Sequence, residues 1–144
     1  MKDKCAFFDT SAIVPLIVRQ ETTQRARQLI KNYPKPVVSW TAFIEAHSAL
    51  ARLVRDGHIS RKNGHAAGAR LEYLKKVWAE VLMTEELRGF CIELLSRYDL
   101  RAADAIQLAA ALIWCDGHPR GRSFITFDER LSVAANEAGF DLPP

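Results

Sequence analysis

The sequence has few cysteines, few glycines and prolines, and no long apolar run. Its three cysteines, Cys5, Cys91 and Cys115, are an odd number at wide spacings, so no disulfide framework is predicted and a reducing compartment fits better. Seven glycines and six prolines among 144 residues are too few for a linker-rich or fibrous protein. No apolar run approaches the ~18–20 residues that span a bilayer, and the first residues lack the apolar core and cleavage site of a secretory leader. We therefore expect a cytoplasmic protein with no membrane partner.

The composition is that of an ordinary globular chain. Apolar residues make up 49% of the 144 residues and charged residues 26%, which excludes a disordered protein and predicts one domain over residues 1–144. Twenty basic residues against 17 acidic ones give a net charge of +3. This charge alone is a weak indication of a nucleic-acid partner.

Short apolar runs alternate with helical patterns along the whole chain. The runs predict strands over residues 5–8, 37–40, 80–83, 123–127 and 140–142. Helical periodicity and capping residues predict helices over residues 11–19, 21–32, 41–56, 60–78, 84–98, 102–114 and 128–138, with a turn over 33–36. Strands that alternate with helices indicate an α/β fold, in which helices flank both faces of a parallel sheet of four or five strands.

Four carboxylates stand where strands end or where helices begin. Asp9 follows the first predicted strand and Asp128 follows the strand at 123–127. Glu45 lies in the first or second turn of one predicted helix, and Asp104 lies in the first turn of another. Because open parallel sheets bind ligands beyond the carboxyl ends of their strands, we expect these four side chains to lie at one edge of the sheet.

Each of these acids also has a purely structural explanation. Asp9 and Asp128 fit helix N-caps, and Glu45 fits a solvated helix face. Asp104 fits a helix-terminal aspartate as well as it fits a metal ligand. Four like charges in one place would repel one another, however, and divalent cations relieve such repulsion. Oxygen ligands with little histidine or cysteine nearby suit Mg²⁺ or Mn²⁺.

Four stretches of the chain resemble the PIN-domain ribonucleases, and among them the VapC-type toxins of bacterial type II toxin–antitoxin pairs. They read Phe-Phe-Asp-Thr-Ser-Ala at 7–12, Thr-Ala-Phe-Ile-Glu-Ala at 41–46, Leu-Arg-Ala-Ala-Asp-Ala-Ile-Gln-Leu-Ala at 100–109 and Phe-Ile-Thr-Phe-Asp-Glu-Arg-Leu at 124–131. The resemblance extends over essentially the whole chain, which it identifies as a single PIN domain. Gln107 departs from the family pattern, because many relatives have histidine there.

The resemblance implies a three-layer fold and an endoribonuclease that depends on Mg²⁺ or Mn²⁺ and leaves a 5′-phosphate and a 3′-hydroxyl. It implies that Asp9 and Asp104 are direct metal ligands. It also implies that Glu45 and Asp128 complete the catalytic site, directly, through water or at a second ion. A homodimer and a cognate VapB-type antitoxin are the partners that it implies, beside the RNA substrate.

Polar and basic residues near the four acids add further candidates. The hydroxyls of Thr10, Ser11 and Thr126 are placed to orient a carboxylate or a water, although capping and strand positions explain them as well. Without the four site acids, 20 basic residues remain against 13 acidic ones, and this +7 suits a phosphate backbone. Arg101, three residues before Asp104, is the best candidate for an RNA contact, with a solvated surface arginine as the alternative.

The antitoxin is expected to lie across the first three helices, with a basic side chain near Asp9 and Asp104. The apolar residues offered there are Ile13, Leu16, Leu50 and Leu53, and the alternative is that all of them belong to the core or to a homodimer interface.

Other functions stay open at this point. One is a PIN-fold module that binds RNA or a protein partner without cleaving, and another is a PIN nuclease that is not a toxin. A third is a phosphatase or phosphotransferase with Asp9 as its nucleophile. That chemistry usually needs a second acid two residues later, where this chain has Ser11.

Overall fold

The sheet has four parallel strands, and the first strand of the chain lies in its interior. The computed structural model describes residues 4–144. Strand β1 (Cys5–Phe8) pairs with β2 (Lys35–Ser39) on one side and with β4 (Phe124–Ile125) on the other. Strand β3 (Ala79–Val81) extends the sheet beyond β2, which gives the order β3-β2-β1-β4. The predicted parallel α/β fold is confirmed.

Seven helices surround this sheet within residues 4–144. They are α1 (Thr10–Ile17), α2 (Thr23–Asn32), α3 (Ala42–Arg55), α4 (Arg61–Lys75), α5 (Glu85–Arg97), α6 (Ala102–Trp114) and α7 (Glu129–Ala138). Four of them begin at a capping side chain: Ser60, Thr84 and Asp128 each accept the backbone N–H three residues later, and Asp9 accepts the N–H two residues later. None of the seven is long and apolar enough to cross a membrane.

Several predicted boundaries are wrong. The turn expected over 33–36 is shorter, because Lys35 and Pro36 already pair with β1, and a proline is tolerated this close to the start of a strand. Helix α4 ends at Lys75 instead of residue 78, and the chain then turns so that Trp78 is buried in the core. The segment expected as a fifth strand, 140–142, contributes a single parallel bridge to residue 123.

Strand β1 divides the core into two layers because successive side chains point to opposite faces of the sheet. Phe8 packs with Leu50 of α3 and Leu71 of α4 on one face. Phe7 packs with Leu108 of α6 and with Phe124 of β4 on the other. The result is the predicted three-layer arrangement. The carboxyl end of β1 is fully buried, and the residue that follows it begins the candidate site.

Two of the residues expected to line an antitoxin groove belong to the core. Ile13 and Leu50 are buried, whereas Leu16 and Leu53 are half-buried. Leu50 still lines a groove between α3 and α4, and Leu16 lines a second groove beside α4. Ile13 is therefore unavailable to a partner.

The packing of α4 on α3 depends on a glycine. A Cβ atom at Gly64 would lie 2.8 Å from Cγ2 of Val54, whose branched side chain has little rotamer freedom in a helix. At Gly89 of α5, a Cβ atom would meet no atom of the described residues within 4 Å. Gly64 thus lets α4 approach the C-terminal half of α3 closely.

We predict that the same glycine-to-alanine change has different effects at these two positions. Gly89→Ala should raise the free energy of unfolding by about 0.5–1 kcal/mol, because alanine loses less backbone entropy in a helix. Gly64→Ala should be less stable than Gly89→Ala by about 1–3 kcal/mol, the usual cost of overpacking. Urea denaturation of both variants measures this difference, and equal stabilities would contradict the close packing of α3 on α4.

Candidate active site

The site begins where β1 ends. Asp9 is the residue after β1 and the N-cap of α1, and its backbone N–H donates to the carbonyl of Ile125 at 3.0 Å. The chain therefore leaves the middle of the sheet at a carboxylate. The side chain of Asp9 is only 5% exposed.

One oxygen of the Asp9 carboxylate is anchored by two hydroxyls. Oδ2 accepts from Oγ of Ser11 at 2.6 Å and from Oγ1 of Thr126 at 2.9 Å, and the Ser11 backbone N–H approaches it at 3.3 Å. Oδ1 accepts no hydrogen bond from residues 4–144. A fully buried side-chain polar atom without a partner occurs once among these residues, at Oε1 of Gln107. Because Oδ1 of Asp9 has no partner and is not such an atom, it keeps contact with solvent. Asp9 thus presents a single open oxygen.

The environment of Asp9 opposes its ionisation. Burial raises the pKa of Asp9 from 3.8 to about 6, the hydrogen bonds from Ser11 and Thr126 act in the opposite direction, and the charge of Glu45 adds to the increase. The electrostatic effect of Glu45 indicates that these two carboxylates are neighbours. A cation beside Asp9 would favour its charged form.

Glu45 is held more completely than Asp9. Its Oε1 accepts from the hydroxyl of Thr41 at 2.7 Å, and its Oε2 accepts from the hydroxyl of Thr10 at 2.9 Å. The side-chain amide of Gln107 lies 3.1 and 3.2 Å from the two oxygens. Glu45 lies in the first turn of α3 and is half-buried. With both oxygens already accepting, it is suited to hold a water or to act at longer range.

Asp104 caps α6 and lies three residues before Gln107, which contacts Glu45. Its Oδ2 accepts from the backbone N–H of Arg101 at 3.2 Å, across the start of α6. Its Oδ1 accepts nothing from the part of the chain that the structure describes. Gln107, three residues later and so on the same face of the helix, contacts Glu45 and Thr10. The two explanations offered for Asp104 are therefore compatible, because each uses a different oxygen.

Asp128 is the most exposed of the four acids. Its Oδ1 accepts from the backbone N–H of Leu131 at 2.8 Å, which caps α7. Its own backbone N–H donates to the hydroxyl of Thr126, and that hydroxyl in turn donates to Asp9. Thr126 therefore links Asp128 to Asp9. Asp128 lies beside the site and is not packed into it.

The structure brings Asp9 and Glu45 together and leaves Asp104 and Asp128 at the margin. Residues 4–144 contain no group of three histidine, cysteine, aspartate or glutamate side chains close enough to enclose a metal ion. Mg²⁺, however, usually keeps several waters and binds through one or two carboxylates. Oxygen donors on Asp9 and Asp104 that accept no other bond fit such an ion in chemistry and number.

The sequence interpretation missed two residues of this site. Thr41 precedes α3 but makes no capping hydrogen bond, and it donates its hydroxyl to Glu45. Gln107 was noted only as a departure from the family pattern. It is the single amide in the apolar stretch at 102–114, and a buried polar side chain requires a partner. That signal points to Gln107 from the sequence alone.

Comparison with known proteins places this geometry in a family. Residues 6–137 match the PIN domain family. A curated relative, Ribonuclease VapC46 of Mycobacterium tuberculosis, is 34% identical over 133 residues, which are 92% of each chain.

Two solved structures share the fold. One is VapC20 of M. tuberculosis, described as a toxin that cleaves the sarcin–ricin loop, with a TM-score of 0.65, 23% identity, and coverage of 90% of this chain and 94% of that one. The other is a toxin–antitoxin complex from Klebsiella pneumoniae, with a TM-score of 0.64, 18% identity, and coverage of 88% and 90%. On the strength of the family match and the relatives that span nearly its full length, this chain belongs to the PIN domain family and, within it, to the VapC type.

Proposed function

We propose that this protein is a divalent-metal-dependent endoribonuclease and the toxin of a toxin–antitoxin pair. One observation carries the proposal. Asp9 is a buried carboxylate with one oxygen anchored by Ser11 and Thr126 and the other left open, and it stands beside Glu45. A relative that is 34% identical is named a ribonuclease, and this supports RNA as the substrate.

Asp9 and Asp104 would hold the ion, through the oxygen that each leaves without a donor. When bound, Mg²⁺ or Mn²⁺ would lower the pKa of a coordinated water and offset the negative charge of the phosphate. Ser11 and Thr126 keep the open oxygen of Asp9 directed outward by fixing the other one. Glu45 is positioned to accept a proton or a hydrogen bond from a water, or to contact a second ion. Asp128 would have the same role from the edge of the site.

The RNA backbone requires positive surface near these acids. Arg101 is exposed at the start of α6, three residues from Asp104, and is the contact that we propose. Phosphate contacts position a nucleic acid without reading its sequence. The net charge of +7 that remains without the four acids is in keeping with such a contact. We also propose that the enzyme acts in the cytoplasm, where cellular RNA is found.

We propose that an antitoxin covers the groove between α3 and α4. Leu50, Ala51 and Val54 give this groove an apolar wall, and Arg55 and Arg61 lie on its rim. An apolar tail with acidic flanks would fit it, while a basic residue of the same partner would pair with the carboxylates. The Klebsiella pneumoniae structure that shares this fold is a toxin–antitoxin complex, which supports a partner of this kind.

We also propose a homodimer. Helix α5 exposes Ile92 and Leu95, which are 64% and 43% exposed and lie on one face of the helix, and Met83 just before it is 45% exposed. Side chains of this size that remain in water favour association with a second apolar surface.

We predict that RNA cleavage requires the ion and both open carboxylates. Cleavage should vanish in EDTA and return with Mg²⁺ or Mn²⁺. Asp9→Asn and Asp104→Asn should each reduce the rate at least about 100-fold, in the range of other groups that stabilise developing charge, while Asn retains the oxygen that accepts the anchoring bonds. A cleavage assay with 5′-phosphate detection measures this.

The matched control for these variants is Asp116→Asn, an exposed aspartate outside the site whose positive φ of 52° asparagine tolerates. It should cleave like the wild type. Undiminished cleavage in chelator would overturn the metal dependence, and specific RNA binding with no cleavage under any condition would favour a binding module.

We predict that Asp9 makes the metal-free protein less stable as the pH rises. The pKa of Asp9 is about 6 in the folded protein and 3.8 unfolded, so the folded state binds more protons between these values. The free energy of unfolding should therefore fall as the pH increases from about 4 to 6, by up to about 3 kcal/mol. Asp9→Asn should remove this decline and be the more stable protein at neutral pH in EDTA. Denaturant titrations of both proteins across this pH range test it, and parallel pH profiles would contradict it.

We predict that the small protein encoded beside this gene binds and inhibits the nuclease. Ala51→Trp fills the groove between α3 and α4 and should weaken inhibition at least about tenfold, or ~1.4 kcal/mol. Asn136→Trp places the same ring on an exposed position of α7, outside the groove lining, and serves as the control. Co-expression, pull-down and titration of cleavage activity give the result. A neighbour that neither binds nor inhibits would remove the toxin assignment.

A further inference from the structure

Gln107 is a buried polar residue in an apolar helix. It is 1% exposed, and the neighbouring positions of α6 on the sheet side are apolar, among them Ala105, Leu108 and Ala109. Burying an amide without hydrogen bonds is strongly unfavourable, because the group loses its bonds to water and gains none in return. The side chain must therefore be held by specific partners.

The hydrogen bonds around Gln107 all lead to Glu45. The amide nitrogen lies 3.1 and 3.2 Å from the two oxygens of Glu45 and 3.3 Å from Oγ1 of Thr10. The hydroxyl proton of Thr10 is donated to Glu45, so Thr10 can only accept from the amide. Gln107 thus reaches the carboxylate twice, directly and through Thr10.

A second chain of donors approaches Glu45 from β2. Thr41 donates its proton to Oε1 of Glu45, so the hydroxyl of Ser39, 2.9 Å away, must donate to Thr41. Every proton in both chains is directed toward the carboxylate. This direction fixes the orientation of the Gln107 amide, because the reversed amide would place its oxygen against two carboxylate oxygens.

This orientation leaves a buried acceptor without a partner. Oε1 of Gln107 is the one fully buried side-chain polar atom of residues 4–144 that lacks a hydrogen bond. A buried group left without a partner destabilises the folded protein, because its bond to water is not replaced. The amide therefore satisfies Glu45 at the expense of its own oxygen, an arrangement that packing alone does not explain.

We propose that Gln107 is a positioning residue for Glu45. It fixes the carboxylate with a neutral donor, so Glu45 keeps its full negative charge for the ion and its waters. A lysine or arginine in the same place would hold Glu45 equally well but would cancel that charge. Gln107 acts through Glu45 and Thr10 and touches no reacting atom. The proposal rests on the metal-dependent site proposed above.

Substitution by a residue of the same length without the amide tests this role. Gln107→Met should fold with a melting temperature equal to or above that of the wild type, because it also removes the unpartnered acceptor. Its affinity for Mn²⁺, measured by electron paramagnetic resonance of the free ion, should fall about 10–100-fold, as is usual when an outer partner of a metal site is lost. The kcat for RNA cleavage should fall with it, while KM changes little. Gln107→His restores one N–H donor and should recover most of the affinity.

Gln24→Met makes the same change at an exposed position of α2 and should leave Mn²⁺ binding as in the wild type. If Gln107→Met does not fold, Thr10→Val removes the indirect path at nearly constant volume and should weaken Mn²⁺ binding in the same direction. Wild-type Mn²⁺ affinity in a folded Gln107→Met protein would overturn the positioning role and leave the proposed function intact. A wild-type protein that binds no Mn²⁺ would overturn the proposed function, and this proposal with it.

Discussion

Ionised carboxylates are costly to bury, and the architecture of this site follows from that constraint. Asp9 closes the interior strand of the sheet at a place where burial raises its pKa to about 6. It stays compatible with the fold because Ser11 and Thr126 turn their protons toward one of its oxygens. Their own oxygens in turn accept the backbone N–H groups of Phe127 and Asp128, which ties the end of β4 to the start of α1. The anchoring of one carboxylate thus also joins two segments that are far apart in sequence.

Glu45 illustrates the same constraint with a different solution. It lies at a helix start where its charge would otherwise face Asp9 without compensation. Donors from α1, from the residue preceding α3 and from α6 converge on it, so three elements are held in register by one side chain. Precision at the site is therefore a property of the surrounding packing as much as of the acids.

The sequence predicted the fold better than it predicted the site. Alternation of strands and helices identified the parallel sheet, and the bounds of α6 agree with the expectation for residues 102–114. These features depend on local periodicity and capping, which a single sequence contains. The bounds of the two edge strands, β3 and β4, were predicted less accurately. These strands are only three and two residues long, too short for a periodic signal.

The site depends on contacts that cannot be read from the order of residues in the sequence. Whether Thr41 caps a helix or donates to Glu45 depends on where its hydroxyl lies relative to a side chain one turn later. The bond from Gln107 to Thr10 spans 97 positions, and no local pattern reports it. The choice between cap and ligand for Asp104 could not be made from its residue type, since one of its oxygens caps α6 while the other accepts no bond from residues 4–144. The sequence did contain the set of four acids. Their different burial and hydrogen bonding depend on the tertiary structure.

We propose that the open oxygen of Asp9 receives a divalent cation. Anomalous diffraction from crystals grown with Mn²⁺ locates such an ion independently of activity. We expect an anomalous peak at bonding distance from Oδ1 of Asp9, with Asp104 as the second protein ligand and Glu45 reached directly or through water. A peak elsewhere, or none at Asp9 under conditions in which RNA is cleaved, would contradict it.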